Sequence, residues 1–167
     1  MNPDFVSKRD ELTARLRKAN DIASAGYVLS WDQSTYMPPL GAAARARQMT
    51  ALEELAHEYA TDPAIGRLLD ELQPYADSLP PDDDDAALLR VARRNYERAV
   101  KVPTAFAAAF AGHMAETFSL WAEARPANDF RRVQPALEKT LEMSRQYADF
   151  FPGYRHIADP LIDMQDF

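Results

Sequence analysis

Small and apolar residues at Leu12, Leu16, Ala19, Ala23, Gly26 and Ser30 step alternately by four and three, which places them on one face of a helix. Ile22 and Leu29 widen that stripe, and the pattern predicts a helix from about Asp4 to the edge of Leu29–Pro39. There the composition changes to Trp31, Asp32, Tyr36 and Met37 ahead of Pro38-Pro39, which predicts a rigid, aromatic-rich loop, with a second helix starting just past Gly41. Met49, Leu52, Leu55, Ala56 and Tyr59 give the second helix its apolar stripe. Thr61-Asp62-Pro63 reads as a stop followed by a start, with Pro63 at the first helical position. Ile65, Leu68, Leu69 and Leu72 carry a short third helix, which Gln73-Pro74 and Ser78-Leu79-Pro80-Pro81 punctuate.

The later segments repeat the theme. Leu88, Val91, Ala92, Tyr96 and Ala99 predict a fourth helix ending at Val102-Pro103. Phe106, Phe110, Met114, Thr117 and Trp121 predict a fifth, stopped by Arg125-Pro126. Leu137, Leu141, Ser144, Ala148 and Phe151 predict a sixth that begins near Asp129, with Pro135 in its first turns or at its start. A last apolar segment, His156 to Phe167, has no closing signal. No stretch alternates over strand length, so the predicted fold is all-α: an antiparallel bundle of about six helices with short loops, forming one domain over residues 1–167.

Composition sharpens this. The chain has only 5 Gly and no Cys, which removes disulfides, thiolate metal sites and cysteine nucleophiles and suits a reducing, cytoplasmic setting. A net charge of −7 argues against nucleic acid and anionic membrane as partners. Met1-Asn2-Pro3-Asp4-Phe5 lacks the basic-then-apolar pattern of a signal peptide, and the longest small-apolar run, Ala105 to Ala111, is too short to span a bilayer.

Candidate chemistry is sparse. His57-Glu58-Tyr59-Ala60-Thr61 starts like the H-E-x-x-H zinc motif, but Thr61 stands where the second ligand belongs. Glu54 and His57 match one E-x-x-H of a di-iron bundle, without the second copy such a site needs. The apolar stripe places both on a solvated face of the second helix. His113, near Phe110 and Met114 and three residues before Glu116, reads as a half-buried core histidine held by hydrogen bonds. His156 lies in a loop with no evident partner. Asp82 to Asp85 stand directly before the fourth helix, where carboxylates cap the end and complement its dipole. Arg90, Arg93, Arg94 and Arg98 read as helix-surface ion pairing. For Trp31, Asp32, Tyr36 and Met37 two readings stand. The aromatics plug the bundle end while Asp32 caps a turn, or the group lines a binding groove.

The order of several segments resembles the amino-terminal region of the carboxypeptidase Taq family of zinc metallocarboxypeptidases. These segments are Leu29 to Pro39, Ala44-Arg45-Ala46-Arg47-Gln48, Leu52 to Glu58, Thr61 to Gly66, Asp82 to Asp85, Arg93 to Pro103, Trp121 to Arg125 and Asn128-Asp129-Phe130. Leu40, where the family often has glycine, and Asn95, where it often has aspartate, depart from the pattern. The resemblance implies a helical, cytoplasmic, typically homodimeric enzyme that removes carboxy-terminal residues from peptides. Zinc, with cobalt as a substitute, is held there by H-E-x-x-H and a downstream glutamate. Those residues have no counterpart in this sequence, so no catalytic or metal residue carries over. The implied role is one wall of the parent's substrate groove, with Trp31, Asp32, Tyr36 and Met37 facing it. The implied partners are the rest of the parent polypeptide and, through it, a peptide substrate, and the chain is expected to be inactive alone. The alternative is a stand-alone, non-catalytic helical binding or regulatory module derived from such an enzyme.

Overall fold

A computed structural model describes residues 3–164, and readings that touch Met1, Asn2 or residues 165–167 lie outside it. Six long helices follow one another: α1 (Pro3–Thr35), α2 (Ala42–Ala60), α3 (Pro63–Asp77), α4 (Asp84–Ala99), α5 (Thr104–Ala124) and α6 (Phe130–Asp149). A 3-10 turn, Pro39–Gly41, leads into α2, and a single helical turn, α7 (Asp159–Ile162), follows α6. The described residues contain no strand, and the architecture is the all-α bundle with short connections that the periodicity predicts.

The helix ends follow local chemistry. Asp62 caps α3 by accepting a 2.8 Å hydrogen bond from the Ala64 amide, and Pro63 occupies the first position, where no N–H is needed. Asp83 caps α4 through the Asp85 amide at 2.8 Å, so the aspartate run does serve the helix start. Asn128 has φ 52°, a left-handed conformation that asparagine tolerates, and turns the chain from α5 into α6.

Two packing centres share the long α1. Its first half joins α3 and α4 around Leu12, Ile65, Leu69 and Leu72, with Phe5 stacked on Tyr75 at 5.4 Å. This is a core of large aliphatic side chains. The second half of α1 lies on α2, and α2 also packs closely on α5. That second centre is made of small residues: Ala46 and Ala56 on α2, Ala108, Gly112 and Ala115 on α5. Small side chains let two helix backbones approach, so α2 becomes a common floor for α1 and α5.

Several sequence expectations need correction. The sequence stripe of α5 runs through Met114 and Trp121, yet these are 46% and 47% exposed, and the buried side is the alanine–glycine face. Leu137 and Leu141 of α6, Val91 of α4 and Leu55 and Tyr59 of α2 likewise face outward, and Val133, Met143 and Ala148 are the buried positions of α6. Pro74 lies inside α3, which runs on to Asp77.

After α6 the chain folds back along α4. Asp163 receives the guanidinium of Arg94 at 2.7 Å, that of Arg98, and the Tyr154 hydroxyl at 2.5 Å. The Tyr154 hydroxyl and the two guanidinium groups hold its carboxyl below the usual range. Arg93 meets Asp70 at 3.0 Å, so Arg93, Arg94 and Arg98 are engaged in ion pairs as their placement suggests, whereas Arg90 donates to the Pro81 carbonyl at 3.5 Å.

Candidate functional site

The largest correction concerns the Trp31 segment. Helix α1 continues to Thr35, so Trp31 and Asp32 occupy its last turns, and the connection is Tyr36, Met37 and Pro38 ahead of the 3-10 turn. Ser34 and Thr35 send their hydroxyls back to the Ser30 and Trp31 carbonyls at 2.9 and 2.8 Å, which satisfies them inside the helix. The Tyr36 and Met37 amides both reach the Asp32 carbonyl at 2.9 Å and close the helix end.

Arg45 fixes this corner. Its guanidinium is 10% exposed and enters from α2, donating to Asp32 Oδ2 at 2.5 Å and to the Leu29 carbonyl, with Gln48 Oε1 at 3.3 Å. Asp32 therefore ties two helices together through its side chain and does not cap a turn. The aromatics do not plug the bundle. Trp31 is 59% exposed and Tyr36 75%, and they pack edge to face at 5.6 Å. Met37 is half-buried, with its Cγ 3.1 Å from where a side chain on Gly41 would begin, so a larger residue there would push the Met37 side chain aside by a few tenths of an ångström. Leu40 adds a fully exposed leucine beside Gly41. The four residues singled out in the sequence thus share one corner, where Trp31 and Tyr36 present apolar surface to solvent.

The histidines resolve differently. His113 is buried, with Nε2 2.9 Å from Thr140 Oγ1 and 3.4 Å from Thr117 Oγ1, which is the hydrogen-bonded core histidine expected. Burial, then the charge of Lys139, lowers its pKa. His57 is not on a solvated face. It is half-buried between α2 and the start of α5, with Nδ1 2.9 Å from Thr104 Oγ1, and burial lowers its pKa while the Ala99 backbone opposes that shift. His156 also has partners: its amide donates to Asp159 Oδ2 at 3.0 Å and its Nδ1 accepts from the Ala158 amide at 3.1 Å. Among the described residues no group of three or more His, Cys, Asp or Glu side chains could hold a metal ion. The described residues therefore do not fit a catalytic metal.

Sequence reasoning passed over Glu53. Its position four residues after Met49 and three before Ala56 puts a carboxylate on the inner side of α2, and that spacing was the available signal. Burial raises its pKa, and among the described residues no cation or hydrogen-bond donor meets it. A carboxyl that ionises more readily unfolded than folded favours the fold below the ordinary carboxylate range. That contribution is lost as pH rises toward the raised folded value. Glu53→Gln is therefore expected to raise the melting temperature at pH 7 and to change it less at pH 4. Thermal unfolding at both pH values checks this, and equal shifts would refute it.

A second apolar surface lies between α5 and α6. Trp121, Val133 and Leu137 line a cavity of about 430 Å³ together with Phe130, which is 63% exposed, and Leu141, 58% exposed, stands one turn further along α6. Arg125, Asn128 and Asp129 complete the lining, so large apolar side chains stand beside a polar rim, a pattern that surfaces meeting another often show.

The comparisons with known proteins bear on the whole chain. The family model described as carboxypeptidase Taq (M32) metallopeptidase matches residues 11–166. The chain belongs to the carboxypeptidase Taq family. It is 35% identical over 156 residues to thermostable carboxypeptidase 1 of Thermus thermophilus, covering 88% of this chain and 31% of that protein. Carboxypeptidase 1 of Bacillus subtilis is 25% identical over 149 residues, covering 89% of this chain and 29% of that relative. Among solved structures, the M32 carboxypeptidase of Deinococcus radiodurans is 39% identical with a TM-score of 0.68, over 95% of this chain and 31% of that one. The Trypanosoma cruzi metallocarboxypeptidase 1 is 25% identical with a TM-score of 0.70, over 95% of this chain and 32% of the other. The chain thus spans about a third of the length of the Taq-family relatives it matches. No described helix is long and apolar enough to cross a membrane.

Proposed function

We propose that the chain serves as the amino-terminal helical region of a zinc-dependent metallocarboxypeptidase that removes carboxy-terminal residues from peptides in the cytoplasm. On this reading it walls one side of the substrate groove, with Trp31, Asp32, Tyr36 and Met37 facing the substrate. The zinc or cobalt ion and the hydrolytic residues come from the rest of the parent polypeptide, and the parent works as a homodimer. The observation that carries the reading is the family match over residues 11–166 within a chain one third as long as its relatives. Two features support it. The corner held by Arg45 offers rigid apolar surface with a fixed carboxylate, the composition of a ligand wall. The α5–α6 surface of Trp121, Phe130 and Leu137 is the kind that further polypeptide covers.

The reading predicts that the purified 167-residue chain, supplied with zinc or cobalt, releases no carboxy-terminal amino acid from blocked dipeptides above the uncatalysed rate. Release that depends on the metal and scales with protein would overturn it. Mass spectrometry of source cells offers an independent check. Peptides of this sequence are expected in a polypeptide about three times as long that contains H-E-x-x-H.

A further inference from the structure

Helices α1 and α5 both pack on α2 rather than on each other, so a valley runs between them with α2 as its floor. Gln33 crosses it at one point, donating from Nε2 to the Ala115 carbonyl at 2.8 Å and to Ser119 Oγ at 3.0 Å. The valley exists because its α1 wall is cut back: Ala23, Gly26, Ser30 and Ser34 recur along that wall, and a side chain on Gly26 would meet nothing within 4 Å. Two cavities share Met49 and Ala111 and so form one continuous groove. The larger, about 260 Å³, runs past Met114 and Phe118, and the smaller, about 70 Å³, ends on Glu53.

Glu53 makes the groove more than an apolar crease. Glu53 lines the smaller cavity together with Ala23, Gly26, Met49 and Leu52, and Tyr27 is the other titratable residue on it. Withdrawing an unpaired carboxylate from water is costly, and a cation that enters with it offsets the cost. Methionine walls adapt to apolar side chains of varied shape.

We propose that this groove binds a polypeptide segment that places a lysine ammonium against Glu53 and apolar side chains along Met49, Met114 and Phe118. Charge complementarity selects the occupant. The 70 Å³ end suits a compact ammonium on a short apolar stem, and the 260 Å³ end takes the neighbouring side chains. The groove adjoins the Arg45 corner but is lined by neither Arg45 nor Asp32, and it does not depend on the peptidase reading.

The test uses the full chain, isotope-labelled, titrated with n-propylammonium as the end of a lysine side chain and with n-propanol as its uncharged counterpart. Saturable amide shifts at Gly26 and Ala111 are expected with the ammonium, weakened about tenfold with n-propanol. Glu53→Gln is expected to remove the preference for the ammonium. Gly26→Leu, which fills the groove and leaves the carboxylate in place, is expected to weaken binding of both probes. Equal binding of the two probes would mark a purely apolar groove and overturn the proposal, as would no saturable binding. Self-association through these residues that Glu53→Gln leaves unchanged would assign the groove to a second copy and overturn it as well.

Discussion

Gly112→Leu is expected to destabilise the chain by about 3 kcal/mol, more than a typical exposed substitution, because it strikes where α2 and α5 come closest. A Cβ on Gly112 would already overlap Thr50 Oγ1, and the next atoms are Thr50 Cβ at 3.6 Å and the Ala46 carbonyl at 3.9 Å. Thr50 gives way only by breaking its own 2.9 Å hydrogen bond to the Ala46 carbonyl. Alanine asks for that rotation alone. Leucine adds three further carbons that have no space between two backbones, so the helices must separate and the Ala46–Ala108–Ala115 packing opens. For a chain of this size that corresponds to a fall in melting temperature of roughly 10 °C. Gly153→Ala is the control, since nothing lies within 4 Å of a side chain there. Calorimetry of both variants decides the matter. A Gly112→Leu transition within a degree or two of the parent would show that α2 and α5 are not held by close approach.

That crossing also explains what the sequence could and could not reveal. Helix starts were legible because Asp62-Pro63 and Asp83 act through bonds within three residues of themselves. The family resemblance and the all-α class were legible for the same reason: they rest on order and period along the chain. Which face of α5 is buried was not, because that helix is apolar nearly all round. Periodicity favours its large residues, while close approach to α2 selects the small ones. Periodicity therefore points Met114 and Trp121 at the core, yet they stand half exposed, and Ala108, Gly112 and Ala115 take their place. The end of α1 was misplaced for a related reason. Trp31-Asp32-Gln33-Ser34-Thr35 looks like loop composition, yet no residue between Pro3 and Pro38 lacks an amide hydrogen. The polar side chains there bond to the helix or to α2 and α5, partners that lie 4, 13 and 82 residues away in sequence. The same blindness made His57 look solvated, since its partner Thr104 is 47 residues distant.

Arg45→Met is expected to cost about 2 kcal/mol and to loosen the corner that presents Trp31 and Tyr36. Methionine keeps the apolar stem, so the loss is that of the guanidinium alone. Without it the Leu29 carbonyl loses its side-chain donor, and Asp32 Oδ2 loses a cation at 2.5 Å. Removing one partner of a fully buried pair costs about 3–5 kcal/mol, but Asp32 is 35% exposed and recovers part of its loss from water, which brings the estimate down. Asp32→Asn is expected to cost less than Arg45→Met. It leaves Arg45 with the Leu29 carbonyl and Gln48, and an amide oxygen can still accept. Urea unfolding of the two single variants and the double variant isolates the coupling between them, expected to favour the pair. The local effect is separable from the global one. Faster hydrogen exchange is expected at the Tyr36 and Met37 amides, whose bonds to the Asp32 carbonyl close α1, while the Leu12–Leu72 centre exchanges as before under native conditions. Equal acceleration in both regions would mean that Arg45 supports the bundle as a whole. No acceleration at Tyr36 and Met37 would remove the case that this arginine holds the Trp31 corner in place for a ligand.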